Sequence, residues 1–126
     1  MTLTPYLTVH DGVAALAYYA AAFGAREEGE RYVEGDGRIG HATLVIGEDV
    51  LFVSDEFQEF GAYSPATVGH ATGAVVLEVG DVDRVYAAAI AAGGTADREP
   101  SGEPGAREGW LVDPFGHRWA LRQARA

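Results

Sequence analysis

A chain of 126 residues has the length of one domain and buries about two-thirds of its unfolded surface in a core. Nineteen acidic against nine basic residues leave a net charge of −10, which excludes nucleic acid as a partner and serves either as a solubilising coat or as a field favouring cationic ligands. With no cysteine, no apolar run near the roughly 18 residues of a membrane span and no basic, apolar leader, the expectation is a cytoplasmic protein without membrane contact, disulfides or thiolate metal sites.

The first strand is expected at Thr4 to Val9, where Leu7 and Val9 alternate with Tyr6 and Thr8. Asp11 then stands where a helix N-cap belongs, and Leu16, Tyr19, Ala20 and Phe23 fall at the three-and-four spacing of one apolar stripe. Gly24 closes that helix. Arg26 to Val33 reads as a charged edge strand. Gly35 to Gly40 spells the dinucleotide fingerprint G-x-G-x-x-G, but that motif works only at the start of a helix, and the strand-like run His41 to Ile46 follows instead. It is therefore read as a hairpin turn. Gly47-Glu48-Asp49 turns the chain into a fourth strand, Val50 to Ser54.

Asp55 to Thr72 shows no period, yet it carries Phe57, Phe60, Tyr63 and His70. A connector of this length is a linker or a binding loop, and its aromatics are expected to anchor it onto the core rather than to touch a ligand. Leu7, Val9, Asp11 and Gly24 then recur as Leu77, Val79, Asp81 and Gly94, every pair offset by seventy positions. The second helix carries Val82, Val85, Ala89 and Ala92 on its stripe, with Gly94 as its expected left-handed stop. A short strand near Thr95, a charged loop over Arg98 to Arg107, a strand at Gly109 to Val112 and a last strand at His117 to Leu121 complete the second unit. Asp113-Pro114-Phe115-Gly116 has the residues that a type I turn favours. The expected fold class is α+β: a single domain over 1–126 built of two βαβββ modules, about 1–56 and 72–123, with a connector at 57–71.

The βαβββ repeat, together with the hairpin Asp113-Pro114-Phe115-Gly116-His117-Arg118-Trp119, resembles the vicinal oxygen chelate superfamily of glyoxalases, extradiol dioxygenases and bleomycin-resistance proteins. The resemblance runs from about Thr4 to Leu121 and is nearest to the small bacterial glyoxalase/bleomycin-resistance branch. It implies a mixed sheet curled around a cavity, and a homodimer. In metal-dependent members four inward residues, commonly His and Glu, sit on the first and fourth strands of the two modules. The matching positions here are Thr4, Phe52, Ala74 and Ala120, and a one-residue slip brings in only Leu51, Val53, Val75, Trp119 or Leu121. Such a set binds no zinc, iron or manganese, so neither metal nor other cofactor is expected.

His10, His70 and His117 read as surface or turn residues, while His41 is either a polar contact in the cavity or structural. Strand parity places Thr4, Tyr6 and Thr8, Val50 and Phe52, Ala74 and Val76, and Arg118 and Ala120 on the cavity face. Trp110 adds the large aromatic of the seventh strand. The expected ligand-binding set is Thr4, Tyr6, His41, Phe52, Ala74, Trp110, Arg118 and Ala120, with no catalytic residue. Tyr6, Phe52 and Trp110 offer flat faces to a planar or cationic, antibiotic-like molecule, or else fill the cavity as core. A metal-free member with its cup intact is similar to a sequestering bleomycin-resistance protein. The alternatives are a glyoxalase-like lyase or isomerase, metal-independent or with a metal held by His41, His70 and a carboxylate, and a module that binds a partner protein.

Overall fold

A computed structural model describes residues 1–124. The chain runs β1 (Tyr6–Val9), α1 (Gly12–Phe23), β2 (Arg26–Val33), β3 (Ile39–Ile46) and β4 (Asp49–Asp55), then a single 3-10 turn (Gln58–Phe60) and a short α2 (Pro65–Val68). It continues with β5 (Ala74–Val79), α3 (Val82–Ala91), β6 (Thr95–Ser101), β7 (Glu108–Val112) and β8 (Arg118–Gln123). Two four-stranded mixed sheets result, ordered β1-β4-β3-β2 and β5-β8-β7-β6. In each, the first strand runs parallel to the fourth and the remaining pairs are antiparallel. The βαβββ layout is thus present twice.

The sequence repeat acts through its caps. Asp11 and Asp81 both have extended backbones, and their carboxylates accept the N–H groups of Ala14 and Arg84 at 3.0 and 3.1 Å. The helix ends differ. Gly24 adopts the left-handed stop at φ 70° and returns its N–H to Ala20. Gly94, expected to do the same, does not: α3 ends through a right-handed Ala92, and the positive φ falls on Gly93. Gly94 is small for want of space, since a Cβ there would sit 2.6 Å from the Tyr18 hydroxyl and 2.8 Å from the Ala89 carbonyl oxygen.

One continuous core lies between the sheets and the helices. Leu7, Val9, Leu51, Val53, Ala42 and Leu44 bring it from the first sheet, and Leu111, Trp119 and Leu121 from the second. The modules lock through α1. Tyr19 and Phe23 pack against the Trp119 ring at centroid distances of 5.5 and 4.5 Å, and Tyr18 donates its hydroxyl proton to the Ala89 carbonyl across the helix pair. Buried Asp113 ties the same joint. Its Oδ2 accepts the Tyr19 hydroxyl at 2.5 Å and the Trp119 indole N–H at 2.9 Å, while Oδ1 accepts the Phe115 and His117 amides. Burial, followed by the charge of Asp113, holds the Tyr19 hydroxyl well above its usual range, so it stays a donor.

Four expectations need correction. Thr4 precedes β1 rather than opening it. The apolar stripe of α1 buries Ala15, Tyr18 and Ala22 as well as Leu16 and Tyr19, and leaves Ala20 exposed; on α3 Val85 packs half-buried against the core as expected, Tyr86 is buried beside it, and Ala92 is an exposed C-cap. Arg98 to Ser101 is not loop but the bulged end of β6, where charged residues face solvent from an edge strand. Phe60 and Tyr63, expected to anchor the connector, are 84% and 49% exposed.

Candidate functional site

The register shows which side chains share the face turned away from the helices. Across the first sheet Tyr6, Phe52, Thr43 and Glu28 stand opposite one another in a row, and across the second Val76, Ala120, Trp110 and Arg98. In the first row, Tyr6 and Phe52 meet edge to face at 5.5 Å, and His41 packs on both at 5.5 and 4.7 Å. The Tyr6 hydroxyl lies 3.0 Å from His41 Nδ1 and 3.2 Å from the Gly40 carbonyl oxygen, and His41 Nε2 lies 3.1 Å from the Thr43 hydroxyl. In the second row, the guanidinium of Arg118 sits over the Trp110 ring at 4.8 Å and that of Arg98 at 5.6 Å. The Trp110 indole N–H donates to Glu108 at 2.9 Å.

Between the free edges of β1 and β5 lies a cavity of about 450 Å³, the size of a small-molecule site. Tyr6 and Thr8 line it from the first module and Ala74 and Arg118 from the second. The connector supplies the remaining wall with Tyr63, Pro65, Val68 and His70. His117 closes the seam: its Nε2 is 2.8 Å from the Thr8 carbonyl oxygen, which only accepts, so Nε2 carries the proton.

The connector wall is held from two sides. Glu56 accepts the side-chain hydroxyls of Ser64 and Thr67, the Ser64 amide at 2.9 Å and the Gln58 side-chain amide at 2.9 Å. Burial alone would raise this carboxyl, but the donors from Ser64, Thr67 and Gln58 outweigh it and bring it down to about 2. On the far side Pro65 packs against Gly116, whose φ of 89° suits glycine and where a Cβ would lie 2.8 Å from that of Pro65. Ser64 and Pro65 are an N-cap and first-turn proline, a helix start legible in the sequence but passed over in the aperiodic connector.

Of the eight expected ligand-binding residues, Tyr6, Ala74 and Arg118 come together in this cavity. His41 and Phe52 stand behind Tyr6, and Trp110 lies beneath Arg118 rather than in the wall. Ala120 is 1% exposed, and Thr4 lines a separate cavity of about 330 Å³ with Val50, Val76 and Trp119. The face of Trp110 expected to meet a cationic ligand is already covered by the chain's own arginines. Residues missed from the sequence are Tyr63, Pro65, Val68, His70 and His117.

The strand positions that carry metal ligands in metal-dependent relatives hold Phe52, Ala74 and Ala120, which offer no side-chain donor, with Thr4 outside the cavity. Among the described residues no three His, Asp or Glu side chains gather as a metal set, and His41 and His70 have no carboxylate completing one. The residues present therefore do not fit a metal.

The two sheets and the open cleft between them define a duplicated βαβββ fold, and the chain belongs to the glyoxalase/bleomycin resistance protein/dioxygenase superfamily, whose family model matches residues 3–121. Among relatives, protein Mb0911c of Mycobacterium bovis is 34% identical over 125 residues, covering 96% of this chain and 82% of that protein. The crystal structure of protein PA1353 from Pseudomonas aeruginosa superposes with a TM-score of 0.75 at 20% identity, over 100% of this chain and 99% of that one. The fosfomycin resistance protein FosX of Mesorhizobium loti superposes at 0.70 and 16% identity, over 98% and 91%. Among the described residues no helix is long and apolar enough to cross a membrane.

Proposed function

We propose that this protein binds a small planar, antibiotic-like molecule in the cavity between β1 and β5 and holds it unchanged, without a metal. The observation that carries this reading is the cavity itself: about 450 Å³, walled by both modules and the connector, with Tyr6 and Tyr63 half-exposed for stacking. Phe52, Ala74 and Ala120 at the strand positions of the superfamily's metal ligands support binding over metal chemistry. A structural neighbour that is a fosfomycin resistance protein is consistent with an antibiotic ligand. The reading includes a homodimer, supported by half-exposed Tyr6, Val50 and Val76 on the open sheet faces.

One observation favours a second reading, a metal-independent lyase or isomerase: Tyr6 lines the cavity and its hydroxyl lies 3.0 Å from His41 Nδ1 behind it, a pair able to pass a proton. The test is calorimetric titration with a panel of aromatic antibiotics, bleomycin and fosfomycin included, followed by recovery and mass spectrometry of the bound compound. Unchanged ligand supports sequestration, and altered ligand moves the case to the lyase. Silence across the panel and across simpler aromatic probes overturns both. Stoichiometric zinc, iron, manganese or nickel in protein purified without chelator overturns the metal-free reading. Light scattering that gives 13.3 kDa at micromolar concentrations, rather than twice that mass, removes the dimer.

A further inference from the structure

We infer that the ligand of this cavity is an aromatic anion, an arene carrying a carboxylate, with the acid group on Arg118 and the ring against Tyr6 and Tyr63. This rests on the proposed binding function and names its ligand class. In a chain with 19 acidic and 9 basic residues, a wall of average composition carries more carboxylates than cations. The observed wall does the reverse. Among the described residues lining the cavity there is no Asp or Glu, and Arg118 is its one Lys or Arg.

Arg118 is held for the task. Its guanidinium rests on the Trp110 ring, which fixes the plane without using up the N–H donors. Among the described residues, the carboxylate paired with it, Asp97 Oδ2, lies 3.7 Å from Nη2, and both side chains are 38% exposed. An ion pair this long and this wet is weak, so an incoming carboxylate that takes two parallel N–H donors displaces it. The other charged groups nearby are engaged elsewhere: Arg122 faces Glu108 at 4.0 Å, and Glu108 also accepts the Trp110 indole N–H. Arg98 shares the far reach of the Trp110 ring and adds positive charge at the same end. A cationic ligand would meet Arg118 and no carboxylate in the wall.

The experiment compares three probes of one shape by calorimetry: naphthalene-2-carboxylate, 2-naphthamide and 2-naphthylmethylammonium. The carboxylate is expected to bind about tenfold more tightly than the amide, with the ammonium weakest. Arg118→Gln is expected to bring the carboxylate to the level of the amide and leave the amide unchanged, with the circular dichroism spectrum retained. Arg118→Lys keeps part of the preference. Equal affinity for the carboxylate and the amide, or tighter binding of the ammonium, overturns the anion assignment while the binding function stands. The same holds if the naphthalenes fail and a neutral or cationic antibiotic of the panel binds. If no naphthalene and no panel member binds, both fall together.

Discussion

The two modules share a backbone plan and carry opposite chemistry on it. Across equivalent strands the first places Tyr6, Phe52, Thr43 and Glu28, and the second Val76, Ala120, Trp110 and Arg98. Bulk lies at the β1–β4 seam in one and moves outward to β7 in the other, leaving small residues at the β5–β8 seam. Charge inverts at the outermost strand, from Glu28 to Arg98. The two halves thus share one scaffold and differ on the open face, so that the cleft between them is lined by the Tyr6 ring on one side and by the Arg118 guanidinium on the other.

The modules differ most where each anchors its last strands, and there the largest effect is expected. Asp55 at the end of β4 serves its own module, accepting the amides of Gly12 and Ile39 at 2.6 and 2.7 Å. Asp113 serves both, because two of its four donors, the Tyr19 hydroxyl and the Trp119 indole, stand on opposite modules. Asp113→Ala strands these donors in the core and is expected to cost about 3–5 kcal/mol in urea unfolding, more than Asp55→Ala. Equal costs would show that the modules are not joined through this carboxylate.

Next comes the division of the two faces. Tyr6 lines the cavity and Trp110 only supports Arg118. Tyr6→Ala is expected to weaken binding of naphthalene-2-carboxylate by about 1–3 kcal/mol, a factor of roughly 5 to 150, and to weaken the amide alike. Trp110→Ala is expected to act on the carboxylate alone, by loosening Arg118. Should it weaken the amide as strongly as Tyr6→Ala, Trp110 meets the ligand directly and the division fails.

Where the modules are alike, substitutions must match. Asp11→Ala and Asp81→Ala remove the same N-cap bond and are each expected to cost about 1 kcal/mol. A gap wider than about 1 kcal/mol between them in chemical denaturation would break the equivalence that the seventy-residue offset implies.

What was legible in the sequence was what depends on neighbours close along the chain. Asp11 and Asp81 announce caps, Leu7 and Val9 announce strand parity, and parity alone puts Tyr6, Phe52 and Arg118 on the open face. What was hidden depends on contacts between distant segments. The 109 positions from Thr8 to His117 are bridged by one hydrogen bond, and no local pattern reports it. Arg98 read as loop because a bulge breaks its alternation, although the ladder carries it to Trp110. Tyr63, Pro65 and Val68 have no period, and their place in the wall is fixed by Glu56 before them and Gly116 well after.

That last arrangement makes the smallest and most local prediction. Glu56 seats the connector just after β4, whereas the second module's last strand ends with Gln123 donating to the Gly80 carbonyl at 2.6 Å. Its hydroxyl and amide donors set the folded carboxyl at about 2, below its ordinary value of 4.5. A folded value below the unfolded one means stability that is present in full above pH 4.5 and drains away as pH falls toward 2. Glu56→Gln keeps an oxygen that accepts from Ser64 but loses the charge that strengthens every bond around it. Urea midpoints taken across this window should fall less steeply with acid for the variant than for the parent, converge with the parent near pH 2, and lie below it by a constant amount above pH 5. Because Ser64 and Thr67 flank Pro65, the neutral variant should also bind naphthalene-2-carboxylate more weakly through a loosened wall. Parallel acid limbs would mean that Glu56 is equally free in the folded and unfolded chain, and that Gly116 alone seats the connector.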